Sequence, residues 1–308
     1  MLRIIALSAG LLLAPASAAF AAQVRLAYQP LGEHVATFVA YEEGFFKKHG
    51  LDVSLVEVQL AATHVQGVVA GSIEIGGPSV VTIVQAGSAG LDLVAISGMS
   101  TVYHAGARAF VMASTRSGIS DLSELKGRKI AVAGINGQID VMLRHYLRMK
   151  GLDPAGMTFV EMPFPAQADA FSSGTVDATL TVDPFVTRIE SSGVGKTIGK
   201  ASLDFPEGIA TSIYATTRKW AEANPDKIKA LVAAIEDATA FILKNPDRAR
   251  QHIGKYTKLP PQVVAMVPLA MPKAALTVDQ LAYWADAMKG LKMIPQNFDP
   301  NKLIFSSR

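Results

Sequence analysis

Polar and ring-bearing side chains gather at five short breaks in the sequence: Gln29–His34, Gly77–Ser79, Ser97–Met99, Asn136–Gln138 and Asp183–Phe185. Each break follows a run with strand character. In an open α/β sheet, that edge beyond the carboxyl ends of the strands is where small ligands sit. The chemistry on offer is non-covalent recognition. Gly77 and Gly137 let a backbone approach closely, Ser79 and Asn136 can donate hydrogen bonds, and the Phe185 ring can stack on a planar ligand. Gln29, Pro30, His34, Pro78, Ser97, Gln138 and Asp183 complete the candidate set. A plainer reading stands beside it, because Ser79, Asn136 and Asp183 all fit ordinary helix capping and His34 fits a solvated helix start. No Arg or Lys falls in the five loops. An anionic ligand would therefore rely on helix N-termini and neutral donors, whereas the acid Asp183 suits an amine or a ring N–H. Both ligand classes stay open.

The elements that must position these loops alternate strand with helix. Val24–Tyr28 has strand character, and His34–Lys48 predicts a helix with Val35, Phe38, Val39 and Phe46 on its buried stripe. Further strands are expected at 51–58, 72–76, 91–96 and 108–113, with helices at 64–70 and 80–86 between them. A second set starts afresh with strands at 129–133, 158–161 and 176–182 and helices at 138–150 and 166–173, the next helix beginning at Asp183-Pro184-Phe185. A strand at 209–217 carries the chain back, and the remainder is helical at 227–244, 247–256 and 277–289, punctuated by prolines. The economical architecture is two α/β lobes: residues 22–112 and 212–308 form a discontinuous first lobe, and 113–211 the second. Crossovers fall near 110–118 and 206–216.

The chain of 308 residues is half hydrophobic, yet beyond residue 22 no stretch is apolar enough to span a bilayer. Residues 1–21 carry a basic start, an apolar run Ile4–Leu13 and Ala19-Phe20-Ala21, the pattern of a cleaved export signal. The absence of cysteine suits an oxidising compartment and leaves no lipid-attachment thiol, so a free, exported protein is expected. The net charge of +3 is slight and has no basic block, so nucleic acid is not an expected partner. The six histidines lack metal-ligand spacing, and neither a metal nor a cofactor is expected. Ser191–Thr197 mimics a phosphate-binding loop, but Glu190 stands where the first glycine belongs, and a surface turn is expected instead.

Four segments carry a resemblance: His34–Val53 (HVATFVAYEEGFFKKHGLDV), Val68–Ile96, Ile119–Val132 (ISDLSELKGRKIAV) and Ala168–Phe185 (ADAFSSGTVDATLTVDPF). Together they resemble the nitrate/sulfonate/taurine-type substrate-binding proteins of ABC importers, a group that includes binders of thiamine-pyrimidine precursors. The resemblance implies a two-lobed, type II periplasmic-binding-protein-like α/β fold, with a mixed sheet in each lobe and the ligand cleft between them. It further implies a small-molecule ligand, a membrane permease as partner, a periplasmic monomer that presents one cleft to that permease, and no enzymatic activity. His34 is similar in place to a histidine of the pyrimidine-precursor branch, and Asp183 to an acid preceding proline there. Related enzymes that make thiamine pyrimidine are expected to need an iron-binding cysteine-rich motif, which this sequence lacks. A ligand-sensing module for a membrane kinase is the third function that the same fold would serve.

Overall fold

The computed structural model describes residues 23–106, 108–257 and 259–305. The export signal expected at 1–21 lies outside the described residues. Strands β1 (Val24–Tyr28) and β2 (Val53–Glu57) pair in parallel from Val24↔Val53 to Tyr28↔Glu57. Between them the chain makes a short 3-10 turn at Gly32–His34, then α1 (Val35–Glu42) and α2 (Phe45–Lys48). The single helix expected over 34–48 is thus divided, because Gly44 takes the left-handed conformation (φ 74°) and ends α1. Its stripe is as expected: Val35, Phe38, Val39 and Phe46 are all buried.

Helix α3 (Ala61–Val69) leads into an extended segment at 72–76, which forms single bridges Leu26↔Ile75 and Gly76↔Ala215 rather than a full strand. These bridges tie β1 to the next pair, β3 (Leu93–Thr101) antiparallel to β9 (Ala210–Thr217), with α4 (Val80–Ser88) between the bridging segment and β3. Strand β3 runs well past the end expected at Ile96. The later segment 271–274 lies along it, with Gly98 N–H bonded to Ala274 O at 2.9 Å and Thr101 N–H to Met271 O at 3.1 Å. Backbone partners on both sides keep the strand going where the sequence suggested an exit loop.

The second sheet has five strands in the order β6-β5-β7-β4-β8. They are β4 (Ala109–Ser114), β5 (Lys129–Val132), β6 (Thr158–Glu161), β7 (Ala178–Val182) and β8 (Gly195–Gly199). Helix α5 (Gln138–Met149) links β5 to β6 and α6 (Gln167–Ser173) links β6 to β7, so β5 runs parallel to β6 and β7. Strand β4 runs antiparallel to both β7 and β8. The turn expected over Ser191–Thr197 is corrected by β8, which begins at Gly195. Gly195 sits against the Phe171 and Ile189 side chains, 2.7 Å from where a Cβ would be, so only glycine lets this edge strand close on the sheet.

The rest is helical: α7 (Phe185–Ser191), α8 (Ala201–Asp204), α9 (Arg218–Ala223), α10 (Pro225–Lys244), α11 (Pro246–Thr257), α12 (Pro261–Val264) and α13 (Val278–Gly290). Helix α10 starts on proline, carries Asp226 in its first turn and Lys244 in its last, and buries Ile228, Leu231, Ile235, Ala238 and Ile242. Those positions make one stripe of a 3.6-residue period, and they share an apolar cluster with Val35, Phe38 and Val39 of α1. A second cluster joins Ile83 of α4, Trp284 of α13 and Val141, Leu143 and Tyr146 of α5. No helix among the described residues is long and apolar enough to cross a membrane.

Candidate ligand-binding site

His34 closes the 3-10 turn after β1 and is fully buried, so it is not the solvated helix start that the sequence allowed. Its Nε2 accepts the Gln29 N–H at 3.3 Å, and Gln29 in turn holds Gln59 O through its side-chain amide at 3.2 Å. The imidazole stacks on that of His64, with centroids 5.9 Å apart and planes at 9°. His64, on α3, was no candidate from sequence, because a histidine in an ordinary amphipathic helix carries no signal. Its Nδ1 accepts the Gly77 N–H at 3.0 Å. Each ring accepts a backbone proton at one nitrogen, which assigns its own proton to the other. Those other nitrogens, His34 Nδ1 and His64 Nε2, are buried without a partner among the described residues. Burial holds both imidazoles neutral: it pushes His34 well below the usual histidine range, helped by His64, and His64 down to about 4. Gly77 is required here, since a Cβ would lie 2.7 Å from His34 Cε1.

Pro78 and Ser79 continue this wall. Pro78 O accepts the Ile213 N–H at 3.1 Å, and Ser79 caps α4 through its Oγ, which accepts the Thr82 N–H at 3.2 Å. The loop at 136–138, from the five-stranded sheet, reaches the same helix. Gln138 Oε1 accepts the Val81 N–H at 3.3 Å, and Gln85 donates to Asn136 O at 2.7 Å. Asn136 is left-handed (φ 62°), held by its N–H to Asp140 Oδ2 at 2.7 Å, and Gly137 precedes the first turn of α5. Gln138 Nε2 is buried with no partner among the described residues. The first sheet's 77–79 loop and the second sheet's 136–138 loop therefore meet at the N-termini of α4 and α5.

The other two loops behave differently. Ser97 lies inside β3, buried, with its hydroxyl donated to Ala274 O at 3.1 Å, so its expected place in an exit loop is corrected. Asp183 does follow β7, but its fully enclosed carboxylate is gripped by Arg108: Nε at 2.6 Å from Oδ2 and Nη2 at 2.6 Å from Oδ1. Thr187 adds a hydroxyl at 3.1 Å. The acid expected to face a ligand already has its cation, supplied by a residue outside the five loops. Phe185 stacks on Phe164 with centroids 5.6 Å apart.

One acidic side chain inside the first loop was not among the candidates. Glu33, beside His34, accepts a hydrogen bond from Ser212 Oγ at 3.3 Å, and Ser212 of β9 bridges to Ser79. Burial raises the Glu33 carboxyl above the usual range, partly offset by the Ser212 hydroxyl. A groove of about 470 Å³ lies elsewhere, between α5 and α13. Its polar groups are engaged in holding the two helices, His145 to Tyr283 at 3.2 Å and Arg148 to Gly290 O, so it is a structural seam.

Residues 32–249 match the family described as NMT1/THI5 like. The chain belongs to the NMT1/THI5-like family. A Brucella abortus relative, named provisionally as a binding protein, is 28% identical over 227 residues, covering 72% of this chain and 67% of its own. The 4-amino-5-hydroxymethyl-2-methylpyrimidine phosphate synthase THI13 of Saccharomyces cerevisiae is 25% identical over 239 residues, covering 73% and 67%. Among solved structures, the periplasmic aliphatic sulphonate binding protein SsuA of Escherichia coli superposes with a TM-score of 0.75 at 21% identity, covering 92% of both chains. The fold is accordingly that of periplasmic binding proteins. The stretch matched to the NMT1/THI5-like family takes in Glu33, His34, the 77–79 and 136–138 loops and Asp183. Gln29 and Pro30 precede it. Iron bound through cysteine thiolates does not fit this member of the NMT1/THI5-like family, which has no cysteine.

Proposed function

We propose that this chain is the extracytoplasmic solute-binding protein of an ABC importer, which closes two lobes on a small organic ligand and delivers it to a membrane permease. The observation that carries this reading is the meeting of the 77–79 and 136–138 loops, one from each sheet, around buried polar atoms without partners among the described residues. A ligand bridging such loops favours the closed state by its differential affinity for it. Export by the 1–21 signal, release without a lipid anchor and a monomeric state belong to the same proposal. So do the lobes. Because β4 lies wholly in the five-stranded sheet and β9 wholly in the other, the proposed first crossing moves to 102–108, ahead of the expected boundary at 112, and the second to 200–209.

The yeast synthase supports a second reading, an enzyme on the same fold. One experiment separates them. The protein from Ala22 is screened by thermal shift against alkanesulfonates, nitrate, carboxylates, amines and aminopyrimidines, and each bound compound is recovered and weighed by mass spectrometry. At a hundred times its Kd, a ligand adds about 2.7 kcal/mol, a shift of about 5–10 °C. Recovery unchanged is the expected result. Conversion of the compound would overturn the binding-protein reading, as would no shift in any class.

A further inference from the structure

Every other carboxylate among the described residues is either exposed or bridged to a cation. Asp183 has Arg108, Asp140 has Arg144, Glu43 has Arg248, Glu74 has Arg25 and Asp237 has Lys48. Exposed acids such as Asp52, Asp121 and Asp299 are hydrated and need no partner. Glu33 alone is neither exposed nor bridged. Among the described residues its side chain has one hydrogen-bond partner, a neutral hydroxyl on Oε2, and none on Oε1. Glu33 keeps part of its surface in solvent, yet the packing around it disfavours the ionised form of its carboxyl, and a carboxylate so placed gains from a cationic partner.

The helix dipole does not explain it. The free N–H groups of the first turn of α4 at Val81 and Thr82 are taken by Gln138 and Ser79, not by Glu33. Its place is nonetheless at the loop where the sheets meet. Ser212, which holds it, bridges to the cap of α4, and its chain neighbour His34 packs under Gly77. The rest of this wall has no fixed cation among the described residues: both histidines are neutral and the five loops hold no Arg or Lys.

We propose that Glu33 is the specificity-determining residue of the site, its free oxygen accepting a proton-bearing nitrogen of the ligand, so that the solute is an amine, amidine or amino-heterocycle rather than a sulfonate, carboxylate or nitrate. This rests on the solute-binding reading above. An anion in the same place would face an unscreened carboxylate, which is how a site rejects the wrong class. The protonated nitrogen supplies the missing cation, and the bond becomes charge-assisted.

The test is calorimetric titration of the protein from Ala22 with alkylamines, benzamidine, aminopyrimidines, alkanesulfonates, short carboxylates and nitrate, repeated with Glu33→Gln. Glutamine keeps the shape and can still accept from Ser212, and its melting temperature, at or above the parent's at pH 7, shows that it folds. The expected result is binding in the nitrogenous group, weakened at least tenfold by Glu33→Gln. Binding confined to the anions would overturn the inference and leave the solute-binding reading standing, as would nitrogenous ligands that bind Glu33→Gln as tightly as the parent. No binding by any compound would overturn both.

Discussion

Replacing Arg108 by methionine tests whether Asp183 is a structural acid. The methionine keeps most of the stem and removes both guanidinium bonds to a carboxylate with no solvent exposure. Breaking a buried ion pair from one side costs about 3–5 kcal/mol, because the other charge stays buried. Two features reduce that figure here. The Arg108 side chain keeps 31% of its surface in solvent, and Asp183 retains the residue-108 N–H at 3.2 Å and the Thr187 hydroxyl at 3.1 Å. The expected cost of Arg108→Met is therefore about 2–4 kcal/mol, read as a lower urea midpoint at unchanged slope. Asp183→Asn removes the charge that needs a partner. The double variant Arg108→Met/Asp183→Asn should thus be more stable than Arg108→Met alone, with a coupling of about 1–3 kcal/mol. A cost below about 1 kcal/mol for Arg108→Met, or strict additivity in the double variant, would refute the argument and return Asp183 to the ligand-facing role expected from sequence.

Two further outcomes follow from the packing. Gly98→Ala places a methyl against the Lys273 carbonyl oxygen; it should cost about 1–3 kcal/mol, lower the melting temperature by about 2–12 °C, and speed tryptic cleavage after Lys273. His64, neutral in the fold and pushed down to about 4, makes stability fall on acidification. The unfolded chain takes up its proton near pH 6.5 and the folded one only near 4, so up to about 3 kcal/mol is lost across that window and the loss then levels off. His64→Asn, whose side-chain oxygen can accept the Gly77 N–H, should flatten this part of the profile measured by urea titration. An equally steep profile would show that His64 takes up its proton in the fold as readily as in the unfolded chain.

Much of the scaffold was legible because local signals agreed with the final packing. The stripe Val35, Phe38, Val39 and Phe46 is buried as its spacing requires, and α10 begins at Pro225 and ends at Lys244. What failed was set by partners distant in sequence. Nothing near Ser97 announces that residues 271–274 will lie along β3 and prolong it, and Gly195–Gly199 becomes a strand only because β4 offers it an edge. The site divided likewise. The rule for strand ends picked out the 77–79 and 136–138 loops, which meet in the fold, and Ser79 does cap α4 there. Asp183 read as an unpaired acid since Arg108, its partner, lies 75 positions away. Glu33 was hidden by its neighbour His34, and the mark that sets it apart, the want of a cation, exists only in three dimensions.

The run of residues 271–274 along β3 bears on when the protein can fold as well as how. Strand β3 is bordered on one side by β9 and on the other by this late segment, both made long after it. The first sheet stays open along that edge until residues 271–274 have been synthesised, and pairings of such long range form slowly. Under the proposed export, late closure leaves the sheet unfinished while the polypeptide is threaded across the membrane, and residues 271–274 complete it on the far side.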